Sequence, residues 1–171
     1  MSKELASSDL PRKIRRIISR LSNPEARAER ASLRKTQEDA PPVFWEILQR
    51  HVGTDLSKSE EDNWRSAIYF LANTISAGGR DSEQSFGRAC RRAGVSESRV
   101  LQLLSARGRQ LRQLAPRVCR IVISKGESFN FTEVAKLILF QNSPLHEKIR
   151  RGILRSFVQV PQQQDEKEDN T

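Results

Sequence analysis

The chain has 171 residues, with 30 lysines and arginines against 21 acidic residues, a formal net charge of +9 and a pI near 10.2. At roughly 100–200 residues per domain, this length admits one compact domain or two small bundles, and a chain of this size folds without help from disulfides or metals. With 36% apolar and 30% charged residues the chain is not compositionally disordered, its apolar positions must be well patterned, and its positive balance points to a polyanionic partner.

Taken in chain order, the spacing predicts about nine short helices, near 11–22, 24–35, 42–51, 60–77, 82–93, 97–106, 108–124, 131–141 and 144–158. In the first, Ile14, Ile17, Ile18 and Leu21 form an apolar stripe opposite Arg12, Lys13, Arg15, Arg16 and Arg20. Asn23-Pro24 opens the second helix as an N-cap followed by proline at the first helical position, and Pro41-Pro42 opens the third. Ser59, followed by Glu60, Glu61 and Asp62, opens the segment that carries Trp64, Ala67, Ile68, Leu71 and Ile75; these acids complement the helix dipole there and are not a metal cluster. Ser82 and Ser96 are expected to cap the next two helices, the first of them with Phe86, Ala89, Cys90 and Ala93 on its apolar side. Leu111, Leu114, Val118, Ile121 and Val122 share one arc of the 108–124 helix, so Pro116 is expected to kink that helix and not to end it. Ser143-Pro144 starts the last helix, and Gly78-Gly79, Gly94 and Gly126 sit where helices should end.

No hairpin turn and no alternating run is present, so the fold class is all-α, two packed helical bundles without a sheet. The Gly78-Gly79 turn is the best domain border, dividing an N-terminal bundle (1–79) from an Arg-rich C-terminal bundle (80–160). Residues 161–171, with three glutamines and four acids, are expected to be a disordered acidic tail. The longest uncharged stretch, residues 66–79, has 14 residues where a membrane helix needs about 20. The first twenty residues hold no apolar signal block, and a cytoplasmic location is expected.

The charge is segregated along the chain. Residues 1–35 carry ten basic and four acidic side chains, net +6, residues 36–75 are net −4, and residues 76–125 carry eleven basic and three acidic side chains, net +8. In that middle block Arg88, Arg91 and Arg92 lie opposite the Phe86 stripe, and Arg109, Arg112 and Arg120 oppose the Leu111 stripe. Ten of its eleven basic residues are arginine, whose planar fork makes paired hydrogen bonds to phosphate oxygens. A solvated face is the ordinary fate of such a charge run, but two adjacent helices of one sign favour a nucleic-acid backbone. The basic first helix also suits an anionic membrane or an acidic protein, although it lacks an interfacial aromatic.

Most of the ten aromatic residues fall on apolar stripes and read as core; Phe129 and Phe131, near an expected loop, are the exceptions available for base stacking. Without a sheet, the stacking modes of RNA-recognition and OB folds are excluded and sequence-blind contacts to phosphate and sugar remain. Catalytic signals are lacking: no Gly-Lys-Ser/Thr phosphate loop exists, His51 and His146 are far apart with no nucleophile at a telling spacing, and Cys90 and Cys119 cannot complete a zinc site. The chain therefore reads as non-catalytic, with neither metal nor cofactor. Two other classes stay open: a helical adaptor for acidic proteins, and a helix-turn-helix regulator built on residues 82–106 around Gly94.

Three segments add a likeness. Ser85-Phe86-Gly87-Arg88-Ala89, then Ser96-Glu97-Ser98-Arg99-Val100-Leu101-Gln102-Leu103-Leu104, then Gln110-Leu111-Arg112-Gln113-Leu114 resemble the CasB family, the small subunit of the type I-E Cascade CRISPR surveillance complex. Phe44-Trp45-Glu46-Ile47-Leu48, the Ile-Ser-Ala-Gly end of the Trp64 helix and Ile153-Leu154-Arg155-Ser156-Phe157-Val158 support it, over roughly residues 28–158. The resemblance implies a non-catalytic, two-bundle protein that lies as a head-to-tail pair in the complex beside the backbone subunit CasC and the large subunit CasA. It implies contacts with guide RNA and with target and non-target DNA, so that the displaced strand is held and the R-loop stabilised in antiviral defence. Arg88 and Arg99 match the family motif directly and Arg112 matches the later Leu-Arg step; Arg91, Arg92, Arg107, Arg109 and Arg120 join them from the charge pattern of the sequence alone.

Overall fold

A computed structural model describes residues 3–35 and 39–159. Among them are nine α-helices: α1 (Lys3–Ser22), α2 (Arg27–Leu33), α3 (Pro42–Ile47), α4 (Lys58–Ser76), α5 (Phe86–Arg92), α6 (Glu97–Ser105), α7 (Gly108–Ser124), α8 (Phe131–Leu139) and α9 (Leu145–Val158). A 3-10 turn (Pro24–Ala26) leads into α2 and a π turn (Leu48–Val52) extends α3. The only extended pairing among the described residues is an isolated bridge between Asp81 and Phe129. The all-α expectation holds. The proposed acidic tail, 161–171, lies outside the described residues.

The starts of three helices differ from the sequence reading. α1 begins at Lys3, not at residue 11, and Pro11 lies inside it. α4 is capped by Ser57, not Ser59. The Ser57 hydroxyl accepts from the Glu60 N–H at 3.2 Å and the Glu60 carboxylate accepts from the Ser57 N–H at 2.7 Å, a reciprocal box that starts the helix two residues earlier. α5 begins at Phe86, because Ser82 accepts from the Gln84 N–H and so holds a turn instead of a helix. The cap of α5 comes from across the fold: Glu133 of α8 accepts from the Phe86 N–H at 3.2 Å, while Asp81 accepts from the Phe131 N–H at 2.9 Å at the start of α8. Asn23 and Ser96 cap as expected, and α7 runs unbroken through Pro116.

One connected apolar core runs from Leu10 to Phe157. α4 is at its centre. It packs on α1 and α2 and also on α7 and α8, so the ranges 1–79 and 80–160 meet at this helix. α5 packs most closely on α9, and Gly87 is the reason it can. A Cβ at Gly87 would collide with the Ile153 carbonyl, the Ser156 hydroxyl and the Phe157 backbone nitrogen, so only a residue without a side chain admits the two backbones. The same packing buries Phe86, which joins Phe129 and Phe131 in a ring cluster with centroids 5.2 and 4.9 Å apart. Phe129 and Phe131 are thus sealed in the core and are not stacking platforms. Their loop is drawn inward by its pairing with residues 80–84, where Phe129 donates to the Arg80 carbonyl and Asn130 to that of Gln84.

Candidate nucleic-acid interface

α5 presents its three arginines on one exposed side. Arg88 has no hydrogen bond or ion pair among the described residues, Arg91 lies 5.5 Å over the Phe157 ring of α9, and Arg92 donates to the Gln84 side chain at 2.9 Å. The cation–π contact and the hydrogen bond set the direction of two guanidiniums without neutralising either. Arg99 is exposed on the first turn of α6, and Arg109 and Arg120 are exposed on α7. α9 packs against α5 and α6, and α6 against α7, so the helices that carry these arginines are joined through packed neighbours. No arginine or lysine of residues 76–125 forms a salt bridge among the described residues.

Two of the arginines expected on this surface are placed differently. Arg107, the residue before α7, donates to the Leu104 and Ala106 carbonyls at 3.2 and 2.8 Å and to Nδ1 of His146 at 3.0 Å. It closes the end of α6 and ties it to α9. Burial, and then the positive charges of Arg107 and Arg150, push the His146 imidazole down to about 4, so it stays a neutral acceptor. Arg112 does not oppose the buried side of α7 as Arg109 and Arg120 do. Ala115, Pro116 and Cys119 are buried, three, four and seven residues on, so the buried arc is wider than the Leu/Val/Ile stripe and Arg112 falls inside it. Half-buried, it donates through Nε to the Ser66 hydroxyl at 3.0 Å in a cleft shared with Lys35, Arg65 and Tyr69. Burial, and then the charge of Arg65, hold its guanidinium below its ordinary basicity.

The basic side of α1 is used otherwise. Ile14, Ile17, Ile18 and Leu21 are buried as expected, but Arg20 bonds Glu29 at 2.9 Å and Glu46 at 3.0 Å, and Arg30 donates to the Leu21 and Asn23 carbonyls. The Arg20 hydrogen bond holds the Glu29 carboxyl below the usual carboxylate range. Both cysteines are buried and reduced. Burial pushes the Cys90 thiol up to about 12 and that of Cys119 well above its ordinary value, so neither provides a thiolate at neutral pH. Among the described residues no group of three His, Cys, Asp or Glu side chains is placed to hold a metal ion, and no helix is long and apolar enough to cross a membrane.

The fold and this surface define a class: a small helical-bundle protein with exposed arginines that form no salt bridge among the described residues. The chain belongs to the CRISPR-associated Cse2 family, whose model matches residues 29–157. Among solved structures it is similar to the crystal structure of CasB from Thermobifida fusca, with 18% identity and a TM-score of 0.66 over 89% of this chain and 97% of that one. No curated protein matches its sequence. Membership supports the role of small subunit of a Cascade complex.

Proposed function

We propose that this chain is the non-catalytic small subunit of a type I-E Cascade complex, and that the exposed arginines of α5, α6 and α7 hold the guide RNA and target backbone and the displaced DNA strand. The observation that carries the reading is the set of exposed arginines that form no salt bridge among the described residues: Arg88, Arg91, Arg92, Arg99, Arg109 and Arg120 keep their charge available to phosphate. R-loop formation exchanges one duplex for another of nearly equal stability, so a few backbone contacts decide its outcome. A buried-aromatic core leaves no stacking platform on this surface, and binding is therefore indifferent to base sequence. Arg107 and Arg112 differ from these six in donating to groups of the protein itself, Arg107 to His146 and Arg112 to Ser66. CasC, CasA and a second copy of the chain in head-to-tail order are the expected neighbours.

The test is fluorescence anisotropy of the purified chain with single-stranded DNA, single-stranded RNA and duplex DNA of mixed sequence across a salt titration. Binding without sequence preference is expected, with log K falling by about 0.7 per contacted phosphate on single strands for each decade of salt. Preference for one duplex sequence would favour a regulator. Absence of binding at low salt would favour an adaptor, for which the exposed Trp45, Leu101, Leu145 and Val158 offer apolar contacts.

A further inference from the structure

We propose that Gln84 is a positioning residue for nucleic-acid binding: its amide stands between the Arg92 guanidinium and the Glu127 carboxylate, orients the first and keeps the second from neutralising it. This rests on the function proposed above and deepens it at one arginine. Arg92 is exposed in the last turn of α5, whereas Gln84 and Glu127 are half-buried in the loops that precede α5 and follow α7.

The surroundings of the Gln84 amide fix its orientation. Nε2 donates to Glu127 Oε2 at 3.0 Å and to the Ser128 carbonyl at 2.6 Å, and Oε1 accepts from Arg92 Nη1 at 2.9 Å. Turning the amide over would set donor against donor and acceptor against acceptor at all three contacts. The Gln84 main chain is held as well: its N–H donates to the Ser82 hydroxyl at 3.3 Å and its carbonyl accepts from the Asn130 N–H at 2.8 Å. The bond to Arg92 uses Nη1 alone, so the Nε–Nη2 edge, which has the geometry of two phosphate oxygens, is not taken by Gln84. A guanidinium already held at one nitrogen also loses less rotamer freedom when phosphate arrives. Glu127 follows the Gly126 turn that ends α7, and its N–H donates to the Val122 carbonyl at 3.3 Å, so the fold delivers a carboxylate to within one amide of Arg92. The two nevertheless form no salt bridge among the described residues. Without the amide each charge would lose that partner, and the two flexible side chains would be drawn to each other. Such a surface pair is weak, yet phosphate must break it before binding the guanidinium.

The test uses the full ¹⁵N-labelled chain and reads two things: anisotropy with mixed-sequence single-stranded DNA, and the guanidinium ¹⁵N resonances of Arg92, identified by their loss in Arg92→Gln. Gln84→Met, which keeps the length and removes the polar atoms, is made alone and combined with Glu127→Gln, with Glu83→Gln or with Arg92→Gln; backbone spectra report the fold of each. Gln84→Met is expected to weaken binding about threefold and to lower the salt slope by up to about 0.7, the share of one phosphate. Glu127→Gln should recover most of that loss. Glu83→Gln, at an exposed acid beside Gln84 in sequence, should not. Gln84→Glu sets a carboxylate directly on Arg92 and should weaken binding about tenfold; affinity equal to the wild type would overturn the proposal. A Gln84→Met loss that persists in the Arg92→Gln background marks a merely structural role and overturns it too. Glu127→Gln should move the Arg92 resonances more in the Gln84→Met background than beside Gln84, and equal movement in the two overturns the spacing. If the wild type binds no nucleic acid, the proposed function fails and the resonances alone decide: a Glu127 dependence confined to the Gln84→Met background upholds the spacing, and an equal response overturns it.

Discussion

Residues 1–35 carry net +6 and residues 76–125 net +8, yet the two regions dispose of their arginines in different ways. In the first, Arg12 pairs with Asp9, Arg20 with Glu29 and Glu46, and Arg30 with two carbonyls. One of those partners, Glu46, comes from the acidic 36–75 segment, which the fold lays against α1. In the second region no carboxylate among the described residues forms a salt bridge with any arginine, and the side chains that orient Arg91, Arg92 and Arg112 are neutral ones: Phe157, Gln84 and Ser66. Segment charge in sequence therefore overstates the first region as a polyanion surface and not the second. What separates them is the presence of pairing acids, Asp9 and Glu29 from the segment itself and Glu46 from beyond it.

The largest expected effect tests what holds the second region in place. Gly87→Leu forces a side chain into the α5–α9 crossing and should cost roughly 3 kcal/mol or more in chemical denaturation, because the atoms it meets are mainly backbone. Gly152→Ala on α9 is the internal control. A Cβ there meets nothing within 4 Å, and the change should be neutral or stabilising by about 0.5–1 kcal/mol. Equal losses from the two would show that the close crossing is not what binds α5 to the fold.

The next effect breaks or sharpens the comparison directly. Joint reversal of Arg88, Arg91 and Arg92 to Glu should weaken nucleic-acid binding about 100-fold and lower the salt slope by about 2, whatever the sequence. Reversal of Arg12, Arg15 and Arg16 should weaken it less than about tenfold. Similar falls from the two variants would erase the distinction between the regions. Smaller again, Arg20→Met strands Glu29 and Glu46 and should cost about 1–2 kcal/mol of stability, with affinity unchanged within about twofold. A drop in affinity at intact stability would return Arg20 to the binding surface.

How much of this was legible follows from the range of each interaction. Helix existence and the Asn23 and Ser96 caps depend on residues within one turn, and the sequence carries them. Ser57 and Ser59 both precede an acid by three residues, so local pattern could not rank them; the reciprocal bond between Ser57 and Glu60 does. The cap of α5 by Glu133, 47 residues away, has no local signal at all. Arg112 was misplaced because small and special residues, Ala115, Pro116 and Cys119, widen the buried side of α7 beyond its large aliphatics. Phe129 and Phe131 looked like loop residues until the two loops pair and turn them inward. The exposed arginines of α5 were legible because their helix is amphipathic; that none of them forms a salt bridge among the described residues is a property of the fold.

The smallest expected effect concerns His146 and Arg107, a pair that separates structural from available arginine within the second region. Arginine only donates, so His146 Nδ1 must accept from it and the ring proton lies on Nε2, which is buried without a partner among the described residues. Unfolded, the imidazole titrates near 6.5; folded, burial and the charges of Arg107 and Arg150 hold it at about 4, with Glu147 opposing. Because the folded value is the lower one, the unfolded chain binds a proton between these limits that the folded chain refuses. Stability is thus full above about pH 6.5 and declines as the pH falls toward 4, by on the order of 1–2 kcal/mol. His51, also lowered by burial and by Arg20, contributes with the same sign, whereas Glu29 loses its contribution only below the ordinary carboxylate range. His146→Gln offers a carbonyl oxygen to Arg107 without titrating, so it should flatten part of the decline, and His51→Gln measures the remainder. If the pH profile of His146→Gln matched the wild type, the imidazole would not be the group whose titration sets the decline, and its hydrogen bond from Arg107 would not hold it neutral.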